Sequence, residues 1–334
     1  MAGRRTNLAL LLLLALALAT GGLAFAIGAA WNRWIVLAHG AAGLALLTLA
    51  PWKSVVARRG FRRARRDSWT SVLLTVLVAL AILFGVLHAV GVVTVGPLTS
   101  MQAHVGAALA SVPFALWHVV ARSVRPRRTD LSRRTLLRAG AVAGAGGFAW
   151  AAVEGGMRLA SLPGGDRRFT GSHETGSFDP EEMPVTQWLN DSVPEIDARS
   201  WRLVVRAQDR EEAWGYEELA AFGDRLRATL DCTGGWFAVQ NWEGVRLSQL
   251  IPQGQEGRSI HVASATGYGR RFPLADADRL LLAIRVGGEP LSAGHGFPAR
   301  IVAPGRRGFW WVKWVTRIEV SAVPWWWQPP FPLA

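Results

Sequence analysis

The chain has one cysteine, Cys232, in the run Asp231-Cys232-Thr233-Gly234-Gly235-Trp236. A thiolate suits a soft or high-valent metal better than oxygen ligands do. Glycines behind it let backbone come close to a bulky ligand. A single cysteine excludes an intrachain disulfide. A second run, Thr266-Gly267-Tyr268-Gly269-Arg270-Arg271-Phe272-Pro273-Leu274, sets a phenol between two glycines. An exposed hydroxyl there can hydrogen-bond a substrate oxygen. A third begins at Gly288-Glu289-Pro290-Leu291, passes His295-Gly296-Phe297-Pro298-Ala299-Arg300 and ends at Trp311-Val312-Lys313-Trp314. It brings His295, Arg300 and Lys313 onto a Gly- and Pro-rich segment. Such groups match a phosphate, Arg by its planar fork and Lys as a point charge. Singly, each residue has a plainer reading. A lone cysteine packs as a small apolar side chain, Arg300 pairs with a surface acid, and Tyr268 is a turn aromatic.

Four of the seven histidines, His39, His88, His104 and His118, fall in long apolar stretches. An ionisable residue in such a stretch is a functional candidate by default. His104 and His118 stand 14 residues apart, close to four turns, and so share one helix face about 21 Å apart. That spacing is similar to the b-type bundle cytochromes, which stack two haems across a membrane. His118 has no second histidine at its depth, whereas His39, His88 and His104 lie together toward the other face. One haem b is therefore expected, held by His39 and His104 with His88 as the rival ligand. The plainer reading is hydrogen bonding between helices.

The elements that must position these residues divide the chain in two. Five apolar stretches, roughly 8–30, 34–52, 69–93, 100–121 and 136–160, each approach the ~20 residues that a bilayer span needs. The mean hydropathy of +0.19 fits one membrane half and one soluble half. Residues 1–160 carry 18 Lys and Arg against 3 Asp and Glu, and residues 161–334 carry 19 against 21. The net charge of +13 thus comes from the connections of the apolar half, which argues against a nucleic-acid partner and for a topology signal. Basic residues crowd the N-terminus (Arg4, Arg5), the connection after the second stretch (Lys53, Arg58, Arg59, Arg62, Arg63, Arg65, Arg66) and that after the fourth (Arg122, Arg125, Arg127, Arg128, Arg133, Arg134). The positive-inside rule puts the N-terminus in the cytoplasm and everything beyond the fifth stretch outside it. Ser132-Arg133-Arg134-Thr135-Leu136-Leu137-Arg138 is similar to a twin-arginine export signal, a route for folded domains. Gly144-Ala145-Gly146-Gly147 reads as small residues easing helix packing, since no strand precedes it as a phosphate loop requires.

The expected organisation is a four-helix membrane domain over 1–135, a fifth span with its signal over 136–160, a linker over 161–184, an α+β domain over 185–323, and a Trp- and Pro-rich tail over 324–334. In the α+β domain, short apolar runs bounded by Gly, Pro and Asp predict strands over 201–207, 259–265, 280–286, 300–303 and 315–320. Helical pieces are expected over 217–219 and 247–251.

In this order and spacing, the three motifs resemble the sulfite oxidase family of molybdoenzymes, which includes the periplasmic methionine sulfoxide reductase catalytic subunit. The resemblance covers residues 184–323 and is strongest over 266–314. It implies a molybdenum–molybdopterin cofactor with Cys232 as the protein ligand to the metal. It implies that His295, Arg300 and Lys313 hold the pterin and its phosphate, with Tyr268 on the substrate side. The implied chemistry is oxygen-atom transfer coupled to two electrons, on a small sulfur-containing or sulfoxide substrate, with quinone or another redox partner in the membrane. Two departures bear on the substrate. Sulfite-oxidising members carry an Arg shortly after the cysteine motif, where this chain has Gly235-Trp236-Phe237, and another in the leading segment, where it has Gln187-Trp188-Leu189-Asn190. Arg270, Arg271 and Arg306 are the basic residues left to replace them. The longer members' immunoglobulin-like domain has no counterpart after Val320, so dimerisation by that route is not expected. Two rival readings stand beside this one: a binding module whose cofactor site has decayed, and an electron conduit whose outer domain docks another redox protein.

Overall fold

The computed structural model describes residues 3–61, 68–96, 98–122, 124, 127–188, 191–252 and 254–332. Arg62, Arg63, Arg65, Arg66, Arg125, Leu189 and Asn190, named above, lie outside them. The chain divides into two compact units, residues 1–25 with 30–173, and residues 26–29 with 174–334.

The first unit is helical: α1 (Arg4–Ala26), α2 (Asn32–Thr48), α3 (Ala50–Phe61), α4 (Ser68–Val90), α5 (Ser100–Ala121) and α6 (Arg133–Leu159). Helices α1, α4, α5 and α6 are long and apolar enough to cross a membrane. The second expected span divides differently. Helix α2 has 17 residues, about 26 Å at 1.5 Å per residue, short of the ~30 Å hydrocarbon thickness. The basic connection after it begins in helix rather than loop: Lys53, Arg58 and Arg59 lie in α3, whose Pro51 sits in the first turn, where its missing N–H has no helical partner to lose. Helix α5 starts at a reciprocal cap: Thr99 Oγ1 accepts from Gln102 N (3.0 Å) and Gln102 Oε1 from Thr99 N (2.9 Å). Helix α4 packs on α5 and α2 on α6. The glycine run allows the latter, since a Cβ at Gly146 would come within 2.4 Å of the Ala41 carbonyl. This is the helix-packing role expected of it.

The second unit is built on two sheets. Its strands are β1 (Leu203–Ala207), β2 (Arg210–Trp214), β3 (Asp224–Asp231), β4 (Trp236–Arg246), β5 (Ser259–Ser264), β6 (Gly269–Pro273), β7 (Leu281–Val286), β8 (Arg300–Val302) and β9 (Val315–Ser321). In one sheet β4 lies between β3 and β7, and β8 pairs with β7, all antiparallel. The other has the order β2-β1-β9-β5-β6, with β9 and β1 parallel. The strands expected over 201–207, 259–265, 280–286, 300–303 and 315–320 all form, with ends shifted by up to two residues. Short helices form at Tyr216–Ala220 and Leu247–Leu250. The core between the sheets is apolar and aromatic, with Leu203, Trp242, Phe272, Leu281 and Ile318 fully buried. Each such side chain contributes roughly 1.5–3 kcal/mol by leaving water.

Candidate active site

Cys232 follows β3 directly and opens the tight turn into β4. Its N–H bonds the Trp236 carbonyl (2.9 Å), and Gly235 donates back to the Cys232 carbonyl (3.2 Å). Gly235 has φ +93°, where a side chain would be strained. The Gly234 N–H points at Cys232 Sγ (3.3 Å). Behind the turn, Arg307 forms a buried ion pair with Asp231 and donates to the Cys232 carbonyl (3.2 Å). Gly308 lets this segment close on the cysteine, since a Cβ there would sit 3.1 Å from Cys232 Cα. Burial pushes the thiol pKa up, opposed by the Gly234 N–H and by the charges of Arg307 and Lys313.

The sulfur opens into a cavity that Tyr268, His295, Arg300 and Lys313 also line, so the structure gathers the five expected site residues in one place. Arg300 is 1% exposed. It donates to the carbonyls of His295 (3.0 Å) and Trp311 (3.5 Å), and its Nε has no partner among the described residues. Its guanidinium stacks over the rings of Trp242 and Trp311. Lys313 donates to the carbonyls of Thr186 (2.8 Å) and Gly294 (2.6 Å), which leaves one of its three N–H groups over. Among the described residues neither cation belongs to an ion pair. Burial lowers the Arg300 pKa to about 9; burial and the neighbouring Arg300 lower that of Lys313 to about 7.

Two residues are placed differently from expectation. Tyr268 is buried rather than exposed, and its hydroxyl donates to the Phe309 carbonyl. A phenol taken out of water needs an acceptor, and the backbone supplies one. Burial pushes its pKa well up. His295 lines the cavity with both ring nitrogens engaged: Nε2 donates to the Met183 carbonyl (2.9 Å), so Nδ1 accepts from the Ser292 hydroxyl (2.9 Å). Burial and Arg300 lower its pKa to about 4. It is a neutral, fixed wall rather than a free donor.

The rest of the cavity is largely aromatic, with Trp188, Trp236, Phe309, Trp311 and Trp314, but Thr186, Gln187, Thr233 and Ser264 add uncharged polar groups and Asp191 a carboxylate. Arg270, Arg271 and Arg306 do not line it. Arg270 is sandwiched against Trp310 and Phe309 and donates to the Pro329 carbonyl (3.0 Å). Arg306 is paired with Asp276 (2.7 Å). Sequence reasoning did not single out Thr186, Asp191 or the Asp231–Arg307 pair. The signal for that pair was an acid directly before the cysteine, with its partner far along the chain.

In the helical unit, the His39 and His104 rings lie edge to face with centroids 5.7 Å apart. His39 Nδ1 contacts the Ala17 carbonyl (2.9 Å) and His104 Nδ1 that of Ala81 (2.7 Å). A carbonyl only accepts, so Nδ1 carries the proton and Nε2 keeps its lone pair. His88 has the opposite arrangement. Its Nε2 donates to the Gly171 carbonyl (2.9 Å), its Nδ1 has no partner, and its ring packs on His173 at 4.8 Å. His118 Nδ1 bonds the Ser71 hydroxyl (3.1 Å).

Comparison with known proteins agrees with the site. The family model "Oxidoreductase molybdopterin binding domain" matches residues 190–326. Mouse mitochondrial sulfite oxidase is 29% identical over 167 residues, covering 39% of this chain and 31% of that protein. The "Putative protein-methionine-sulfoxide reductase subunit YedZ1" of Azospira oryzae is 27% identical over 139 residues, covering 40% of this chain and 53% of that protein. The solved sulfane dehydrogenase SoxCD of Paracoccus pantotrophus is 27% identical, covering 39% of this chain and 40% of that one, with a TM-score of 0.37. The chain spans under a third of the length of the sulfite oxidases it matches. Motif order, the cavity around Cys232 and the family match agree: residues 190–326 are a molybdopterin-binding oxidoreductase domain of the sulfite-oxidase type.

Proposed function

We propose that the chain is a membrane-anchored enzyme that reduces a sulfoxide outside the cytoplasm, with electrons drawn from the membrane quinone pool through one haem b. The observation that carries this reading is the buried Arg300 and the part-buried Lys313 beside Cys232, neither in an ion pair among the described residues. Charges taken largely out of water and left unpaired are costly. An anionic, metal-bearing group would complete the site: Cys232 would supply the soft ligand, and Arg300 and Lys313 would be the donors for its phosphate. The residues present therefore fit molybdenum–molybdopterin. When bound, it supplies a two-electron centre for oxygen-atom transfer.

The chain's own part is positioning. The Asp231–Arg307 pair and the Cys232 turn fix the sulfur. The Gly234 N–H favours its thiolate. Trp188, Trp236 and Phe309 exclude water and present apolar faces to a substrate. With Arg300 and Lys313 reserved for the phosphate, the aromatic walls, the uncharged Thr186, Gln187 and Ser264 and the Asp191 carboxylate suit a neutral sulfoxide better than an anion. The arginines available to replace the missing pair are engaged elsewhere or lie off the cavity. The net reaction takes R₂SO, two electrons and two protons to R₂S and water.

Four helices of membrane-spanning length support the anchor, with α2 proposed as a short fifth crossing. The free Nε2 atoms of His39 and His104 support the haem and favour this pair over His88, whose Nε2 is tied to a carbonyl.

Metal content per chain tests the reading. Detergent-purified wild type from a cofactor-competent host is expected to hold about one molybdenum, Cys232→Ala essentially none, and the variant should still fold. No molybdenum in the wild type would leave the outer domain as a binding module. Molybdenum without turnover of any small acceptor would favour the electron conduit.

A further inference from the structure

The tail beyond β9 leaves no clear trace in the sequence motifs, yet its last described residues touch the cavity wall from outside. Gln328 lies along the free edge of β6. Its Oε1 accepts from Arg271 N (3.0 Å) and its Nε2 donates to the Arg271 carbonyl (2.9 Å), so one side-chain amide makes both bonds of a missing strand. The Pro329 carbonyl accepts from Arg270 (3.0 Å), whose guanidinium stacks on Phe309 and Trp310. Phe331 packs edge-on against Phe309, with centroids 5.8 Å apart. The Pro332 carbonyl accepts from Trp188 Nε1 (3.1 Å). Trp188 and Phe309 face each other at 5.8 Å and both line the cavity. The Phe309 carbonyl also holds the Tyr268 hydroxyl.

We propose that residues 328–332 act as a positioning strap, which fixes the Trp188–Phe309 wall and thereby the pose of the substrate. Within this strap Gln328 sets the register along β6, and Phe331 and Pro332 carry it to the two rings. The proposal rests on the cavity being the reaction site. The strap acts through the wall, so its loss loosens substrate binding before it disturbs the cysteine turn, which is held separately by Asp231 and Arg307.

The test uses the full-length, molybdenum-loaded protein in detergent, with dithionite-reduced benzyl viologen as donor and dimethyl sulfoxide and methionine sulfoxide as probes. In Phe331→Ala and Gln328→Ala, KM is expected to rise on the order of tenfold with kcat within about twofold. Molybdenum per chain should stay unchanged, and Phe331→Leu should recover most of the loss. Exchange of the Trp188 indole N–H, which donates to the Pro332 carbonyl, should accelerate in the two alanine variants. An unchanged KM in both overturns the strap, as does a loss of kcat accompanied by loss of molybdenum, which would mean a damaged fold. If the molybdenum-loaded wild type reduces neither probe, the sulfoxide reading fails and exchange alone decides: faster exchange of the Trp188 indole N–H in the variants supports the strap and unchanged exchange overturns it.

Discussion

Lys313 and Arg300 are cations in apolar surroundings, and without an anion beside them they weigh against folding. The Lys313 pKa falls from 10.5 to about 7. Below pH 7 the lysine is protonated both folded and unfolded, and the penalty is fully in force. As pH rises through the folded pKa, the folded chain sheds this proton while the unfolded chain keeps it. Stability therefore increases with pH from about 7 upward. Cofactor-free wild type is expected to resist urea better at pH 9 than at pH 7, and Lys313→Met to lose most of that difference, as followed by tryptophan fluorescence. Cofactor loading should abolish it too, since a bound phosphate favours the charged lysine.

At the scale of elements, the glycines that face the histidines matter as much as the histidines. A Cβ at Gly85 on α4 would come within 2.9 Å of His104 Nδ1, and one at Gly21 on α1 within 3.0 Å of the His39 ring. Gly85→Leu is expected to push the His104 ring off the Ala81 carbonyl and remove the haem Soret absorbance, while molybdenum per chain stays unchanged. Retention of both signals would argue against the His39–His104 pair. Helix periodicity made the histidines' depth legible, but not which ring nitrogen is free, because that depends on carbonyls 22 and 23 residues away. The same limit explains the missed strands. Strand β2 is Arg-Glu-Glu-Ala-Trp, poor strand formers whose extended state comes from pairing with β1. Strands β3 and β4 meet the cysteine motif only at its two ends, Asp231 and Trp236; the strand end before Cys232 is legible in the sequence, the length of the two strands is not. Cys232, Arg300 and Lys313 were legible as a set because motif order carried them. The Trp188–Pro332 contact was not, since it joins residues 144 apart.

For the whole molecule, the charge asymmetry and the start of α6 bear on how the enzyme reaches its place of work. Ser132 stands just before α6, and Arg133 and Arg134 lie in its exposed first turn, accessible as an export receptor would need. Replacing both arginines by lysine keeps the positive charge that orients a span, so simple positive-inside topology survives. A twin-arginine route does not tolerate the change. The double variant is expected to leave the C-terminal domain protected from protease added to spheroplasts, while wild type is cleaved; equal cleavage would assign the arginines to topology alone. The five-stranded sheet has a further consequence. One of its edges, β2, exposes Arg210, Glu211 and Glu212 to solvent, and the other, β6, has its backbone groups at Arg271 occupied by the amide of Gln328. Charges blunt the first edge and a side chain plugs the second. A neighbouring copy thus meets charge at one edge of this sheet and an occupied position at the other, and the tail proposed to shape the cavity also guards the β6 edge against strand-by-strand pairing.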